Sequence, residues 1–463
     1  MAGSFTKGIS KVLSGVYSRI VAAISTITAG KRGIVAYPCT SDWGPVNTLE
    51  TVTIGEFNDL YNAENTELTA RKIYTHASKG APSKLLVYRM ATASAKVASC
   101  TLDGGMKLAT LYPTTRKFTV TVKDGIAEDS KVFELIEGDV IRMSVTVTAV
   151  ADLVAQINAS DYIRVTNPKE VTTMPENVNA TELTGGNNGS DVTVSQYMAF
   201  LDEVENDNTA NAFALDGVSD TAIITSVVTW LKRVRQEGLY ITFATGGPKE
   251  WDGDTDAANQ ASVGYNNRAI VNVGNGCDGY TAAEMAIFVA ARVAAVALNR
   301  TVTDEVVPYT KVNKKLKVTV REVAKGKGTL LFVKSGDKVE IDEGVNTLTS
   351  PAEGESKEFG KIRVSNTLDY VTHDLEVFGN EYKKTKSNTT EARQSYAALV
   401  EQSYLQPLVN DEVLKAGCYY KQDPEYHGDT AVYSPALDEA YFKADITPVD
   451  SMERIYQAIG VNF

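Results

Sequence analysis

Between residues 190 and 298 the chain alternates short apolar runs with longer helix-patterned stretches. Strand candidates at 213–215, 240–243 and 269–273 are separated by helices near 219–237 and 281–298. Strands and helices alternating in this way predict a largely parallel sheet covered by helices on both faces. The glycine-rich turn at 184–191 leads into it. A helix is expected next, with Ser190 or Asp191 as N-cap and Val194, Tyr197, Met198 and Leu201 buried. The run 282–298 is almost wholly apolar, but Glu284 and Arg292 interrupt it and it falls short of the ~20 residues a bilayer requires. Its alanines suit close packing, so it reads as a buried helix.

The remaining segments have different textures. Residues 33–90 read strand, strand, helix, strand, with the helix at 67–78, which predicts a small α/β unit. From 98 to 182 alternation dominates: Phe118, Val120 and Val122 share one face, as do Val145, Val147 and Ala149, so a mostly β insert is expected. Leu330 to Val333, a turn at Ser335-Gly336-Asp337, and Val339 with Ile341 spell a hairpin. Residues 359–370 read as a further strand. An amphipathic helix starts near Thr390 with Tyr396, Leu399, Val400 and Tyr404 on one face, and Pro407 should bend or end it. The fold class is α/β in an α+β multidomain chain. The expected divisions are an N-terminal arm 1–22, a small α/β domain 23–97, a β-rich insert 98–182, an α/β core 183–345, a C-terminal subdomain 346–444 and a C-terminal arm 445–463.

Charge and cysteines exclude several functions. With 58 acidic against 46 basic residues the net charge is -12, which argues against nucleic acid as a partner. Cys39, Cys100, Cys277 and Cys418 lie far apart, so neither a zinc site nor a disulfide framework is signalled. Ser10, Lys11, Ser14, Ser18 and Arg19 interrupt any apolar core near the N-terminus, so no secretory signal is expected and the protein should stay where it is made.

Chemical motifs are few. The run 274–279 satisfies Gly-x-Gly-x-x-Gly between a strand and a helix, the placement of a dinucleotide-binding turn. No acidic partner follows at the required ~20-residue spacing, and a tight structural turn is the competing reading. Asp252, Asp254 and Asp256 resemble the start of a calcium loop, but Ala257 replaces the needed glycine and Val263 the needed glutamate. An acidic surface turn is expected there. His76, His373 and His427 show no metal-binding spacing, and no Gly-x-Ser-x-Gly elbow or P-loop is present. No catalytic residue, cofactor or metal is therefore expected. The alternative is a nucleotide-dependent enzyme built on 274–279.

In wording and order, the segments 336–348 and 359–370 resemble the C-terminal region of contractile tail sheath proteins, which coat the tube of contractile bacteriophage tails and related bacteriocin particles. Further fragments follow the family's order: 14–20, with Ser14 where a proline is usual, then 33–37 with Gly44 and Pro45, then 84–89 and 184–191. The resemblance implies a structural protein, not an enzyme, that assembles with copies of itself as stacked rings around an inner tail tube protein. Baseplate and tail terminator proteins are the other implied partners, with no membrane insertion. It implies assembly in the host cytoplasm, then residence in a virion tail or a released tail-like particle. The terminal segments carrying Val16, Tyr17, Arg19 and Ile20, and Met452, Ile455, Tyr456, Ile459 and Val461, either pack on their own subunit or are donated to neighbours as added strands. The resemblance favours donation.

Overall fold

The computed structural model describes residues 2–3, 16–17 and 32–459. The chain divides into two compact units, 31–373 with 448–463, and 1–30 with 374–447. It opens with β1 (Ala2–Gly3) and β2 (Val16–Tyr17), which pair in parallel. Next come β3 (Ile34–Cys39), β4 (Leu49–Val52), α1 (Ile54–Tyr61), α2 (Thr69–Gly80) and β5 (Lys84–Arg89). The insert contains β6 (Ser99–Thr101), β7 (Lys107–Thr110), β8 (Phe118–Asp124), β9 (Lys131–Glu137), β10 (Val140–Val147), α3 (Val150–Ala159), β11 (Ile163–Val165) and β12 (Val178–Glu182). Strands and helices then alternate through α4 (Val194–Asp207), β13 (Ala212–Ala214), α5 (Thr221–Gln236), β14 (Thr242–Gly246), α6 (Thr255–Tyr265), β15 (Ile270–Val273) and α7 (Ala282–Ala295). After β16 (Val306–Val307), α8 (Val318–Gly326) and β17 (Thr329–Leu330) come the hairpin β18 (Phe332–Ser335) and β19 (Lys338–Ile341), then α9 (Ile362–Lys383). The elements α10 (Thr390–Val400), α11 (Gln406–Asn410), β20 (Tyr419–Gln422) and β21 (Phe442–Asp445) complete the order.

The centre of the larger unit is a seven-stranded sheet in the order β17-β15-β14-β13-β3-β5-β4, parallel except for β4. The strands of the small N-terminal α/β segment thus join the same sheet as those of the core segment, through β3 beside β13. Side chains alternate between two apolar layers as strand geometry requires. Val35, Tyr37, Cys39, Leu85, Val87, Ala212, Ala214, Val271 and Val273 face α2 and α7. Ile34, Ala36, Leu86, Tyr88, Phe213, Phe243 and Ile270 face α4 and α5, where the Phe213 and Phe243 rings stack at 4.7 Å. The expected parallel sheet with two covered faces is what the chain builds. Helix α7 is buried along nearly its whole length, and α2 approaches it so closely that a Cβ on Gly80 would lie 2.4 Å from that of Ala291.

The insert has its own core between the sheets β10-β9-β8-β12 and β11-β7-β6. Phe118, Val120, Val122, Phe133 and Leu135 meet Leu108, Ile163 and Val165 there, with α3 adding Leu153 and Ile157. Two residues from outside the insert staple it down. Trp43, in the β3–β4 loop, packs against Tyr112 at 5.4 Å and Phe118 at 5.6 Å. Arg89, fully buried at the end of β5, donates to the carbonyls of Gly44 at 2.6 Å and Pro113 at 2.8 Å.

Three local expectations are corrected. The helix after the glycine-rich turn begins later, at Val194, because the Thr193-x-x-Gln196 pair caps it: the Gln196 carboxamide accepts from the Thr193 amide at 2.9 Å. Val194 is consequently exposed. Residues 54–61, unassigned from sequence, form α1 under a Thr53–Glu56 capping box. Residues 359–370 open a helix, not a strand. Ile362 and Val364 mimic strand alternation, but positions 362–367 are all buried, and the polar ones find distant partners. Arg363 Nε donates to the Leu298 carbonyl at 3.2 Å and Asn366 Nδ2 to that of Val293 at 3.2 Å. A polar set satisfied that way permits a helix buried on every side. In the smaller unit α10 buries Tyr396 and Val400, a π-helical turn at Glu401–Leu405 buries Tyr404, and the helix ends at Asn410, three residues past Pro407. Tyr404 donates to Asp374 at 2.7 Å.

Candidate assembly interface

The glycine turn between β15 and α7 is held by the chain itself. The Gly276 amide donates to Asp252 Oδ1 at 2.7 Å, the Gly279 amide to Asn313 Oδ1 at 2.6 Å, and the Asp278 amide to the Lys311 carbonyl at 2.9 Å. Asn313 Nδ2 bridges back to Asp252 Oδ2 at 2.8 Å. The amides that would cradle a pyrophosphate are therefore already bonded within the chain, one of them to a carboxylate that would repel a phosphate. A Cβ on Gly276 would lie 1.8 Å from the Tyr280 carbonyl, so the glycine is there for close packing. The helix terminus is also occupied, by a Thr281–Glu284 capping box. Asp254 caps α6 while Asp252 serves the glycine turn, which divides the acidic 252–256 run between two structural tasks. Among the described residues no group of three His, Cys, Asp or Glu could hold a metal ion, and no helix is long and apolar enough to cross a membrane.

A doubly wound sheet binds ligands where its strand order reverses, here between β3 and β13 at their carboxyl ends. Side chains fill that place. Asp216 is buried and accepts from the Tyr197 hydroxyl at 2.9 Å, and its burial pushes the carboxyl above the usual range. Lys72 pairs with Glu284 at 3.0 Å, and a Cβ on Gly217 would touch Glu284 Cγ at 3.0 Å. His76, a lone histidine in sequence, is a buried core residue with Nδ1 2.8 Å from the Tyr309 hydroxyl.

Among the described residues several large apolar side chains are exposed, Ile126 in the insert and Leu437 in the smaller unit among them, and four cluster in sequence near the C-terminus. Met452 is 81 % exposed, Ile455 68 %, Tyr456 89 % and Ile459 84 %. Burying side chains of this size is worth about 1.5–3 kcal/mol each, free energy that a single copy leaves ungained. Val16 and Tyr17 form β2, whereas Arg19, Ile20 and Val461 lie outside the described residues. In the smaller unit β20 and β21 pair as a two-stranded ribbon that packs on α10 through Tyr396, whose ring lies 5.7 Å from Tyr420 and 5.1 Å from Phe442. A two-stranded ribbon has two edge strands, and an edge strand is where an added strand can pair. Sequence reasoning singled out the terminal segments by their apolar residues but did not anticipate the ribbon, nor Thr303, Lys361 and Arg363, which bond residues 450–453. Nothing in the local pattern of either set signals its use.

The fold is that of a multidomain α/β chain whose glycine turn and strand-order switch point are filled by its own side chains. The phage tail sheath protein beta-sandwich domain matches residues 91–188, the phage tail sheath protein central domain residues 190–347, and the phage tail sheath C-terminal domain residues 355–462. The chain belongs to the phage tail sheath family, and its role is structural. The tail sheath protein of Clostridium phage phiCD119 is 24 % identical over 206 residues, 43 % of this chain and 54 % of that one. The sheath tail protein of Desulfitobacterium hafniense has the same fold at a TM-score of 0.73, with 21 % identity over 97 % of this chain and 100 % of its own. The helical sheath of the anti-feeding prophage in its contracted state also shares the fold, with a TM-score of 0.57 and 8 % identity over 98 % of this chain and 100 % of its own.

Proposed function

We propose that this chain is the repeating subunit of a contractile tail sheath that stacks as rings around an inner tube and drives the tube through a target envelope by contracting. The observation that carries the reading is the exposed apolar row Met452, Ile455, Tyr456 and Ile459. Donation of this arm, and of the N-terminal segment with Val16, Tyr17, Arg19 and Ile20, would link each subunit to its neighbours. Ribbon edges like those of β20 and β21 are the natural acceptors. A five-residue added strand gains about 0.5–1.5 kcal/mol net per backbone hydrogen bond, against about 1–2 kcal/mol per residue for ordering it. One arm barely breaks even. Burial of Ile455 and Tyr456 adds ~2 kcal/mol each, and a subunit that both gives and accepts arms benefits from effective concentration. Assembly is thus weak for a pair and firm in a lattice.

Contraction in this reading is rigid-body repacking of whole subunits, with the arms as tethers and the energy stored at assembly. It needs no nucleotide, in keeping with a glycine turn whose amides are already bonded. Head-to-tail contacts between copies generate the open helical array a sheath requires. The other partners are the inner tube, baseplate and tail terminator proteins, without nucleic acid or membrane insertion. The sites of residence are the host cytoplasm during assembly and then a virion tail or a released tail-like particle. Negative-stain electron microscopy of the concentrated protein tests this: hollow striated tubes or stacked rings are expected. Particles that stay single at every concentration, with and without a tube template, would count against it.

A further inference from the structure

The C-terminal arm is not free along its whole length. Its root lies against the larger unit in a polar strap. Lys361 Nζ donates to Asp450 Oδ2 at 2.6 Å and to Glu453 Oε2 at 2.7 Å, and Thr303 Oγ1 donates to Glu453 Oε1 at 3.0 Å. Arg363 Nη1 donates to Ser451 Oγ at 2.5 Å, while Arg454 Nη2 reaches Glu343 Oε1 at 3.3 Å. The Glu453 side chain is only 8 % exposed, although Met452 beside it and Ile455, Tyr456 and Ile459 beyond it face solvent. Ser451 and Glu453 are thus partly covered while Met452, Ile455, Tyr456 and Ile459 are exposed, so what holds this stretch is polar contact and not burial of its apolar side chains.

The strap is also electrostatically poised. Glu453 enters a carboxylate-rich neighbourhood. Burial first, then Glu343, Glu340, Asp342 and Glu453 together, push the Asp304 carboxyl above its usual range. Lys361 answers that charge, and Asp450 and Glu453 in turn hold its ammonium above the ordinary lysine range despite partial burial. Without Lys361 a buried carboxylate would be left among others of like sign.

We propose that Lys361, supported by Thr303 and Arg363, is the positioning residue of the C-terminal arm. It pins the arm's root to its own subunit so that the apolar tip from Ile455 onward is presented from a fixed point to a second copy of this chain. A root ordered in advance need not be ordered again when the tip docks, which lowers the entropic cost of assembly. The inference rests on the assembly reading above.

Hydrogen exchange of the full-length subunit and the critical concentration for tube formation test it together. In the wild type, amides of 450–454 should exchange more slowly than those of 455–459. Lys361→Met should speed exchange of 450–454 about ten-fold, as expected for loss of a local contact set, and raise the critical concentration several-fold. Glu453→Gln, which keeps the Thr303 hydrogen bond, should act in the same direction more weakly, and exposed Lys357→Met should change neither. Unchanged exchange in both strap variants overturns the proposal. So does faster exchange with an unchanged critical concentration, since the strap would then exist without positioning the arm. A wild type that forms no tubes refutes the assembly reading instead, and the positioning role falls with it, whatever exchange shows.

Discussion

Single residues in this protein carry two kinds of burden, and each makes a measurable prediction. Asp369 on α9 accepts from Nη1 and Nη2 of Arg235 at 2.9 and 2.8 Å and pairs with Arg268 at 3.0 Å, with its own side chain 8 % exposed. Removing one partner of a buried ion pair leaves the others desolvated, so Asp369→Asn should cost about 3–5 kcal/mol in denaturant unfolding. A loss below ~1 kcal/mol would mean the triad is solvated like a surface pair. His76 is the second case. Burial lowers its pKa to about 4 from an unfolded value of 6.5. The unfolded chain therefore takes up the proton first. Stability is full above pH 6.5, falls by up to about 1.4 kcal/mol per pH unit down to about 4, and has no further loss from this group below that. Unfolding midpoints followed from pH 7 to 4 should show this slope in the wild type and a shallower one in His76→Gln; identical slopes would contradict it. Neither role is visible in sequence, because Asp369 meets residues more than a hundred positions away and His76 meets Tyr309 across the core.

At the level of elements, periodicity worked where one environment covers a whole segment and failed where environments meet. The strands at β13, β14 and β15 and the helices α5 and α7 were legible because each is buried uniformly or on one regular face. The opening of α9 was misread since its short apolar pattern carries period two by accident, and its polar residues are bonded by α7 and the loop after it. The insert was legible as β-rich but its attachment was not. Trp43 is 5 % exposed and sits among Tyr112, Phe118 and Tyr162, so Trp43→Ala should cost about 3–5 kcal/mol. Limited proteolysis should then release the insert before the sheet unfolds. Simultaneous loss of both would indicate one cooperative unit. We propose that the insert faces outward in the assembly and tolerates change; because excising it whole uncovers a tryptophan, substitutions on its outer strand β10 are the cleaner probe.

For the whole molecule, the decisive quantity is surface that one copy leaves unsatisfied. Deleting 1–20 or 446–463 should leave a folded, soluble subunit that forms no tubes, because the sheet and both of its helical layers lie between those limits. Circular dichroism together with electron microscopy separates the outcomes: normal tubes from either truncation would remove the arms from the mechanism, and an unfolded product would make them part of the fold.

The sequence by itself determined the layered α/β architecture, the β-rich insert, the hairpin at 332–341 and the apolar character of the C-terminal arm, since each is written in local spacing of apolar and turn residues. Tertiary structure alone decided that the N-terminal strands join the core sheet, that 362–383 is helical, that the glycine turn is sealed by Asp252 and Asn313, and that Lys361 straps the arm. Those outcomes depend on partners brought together from distant parts of the chain, and a buried polar group's fate is set by what meets it in space, not by its neighbours in sequence.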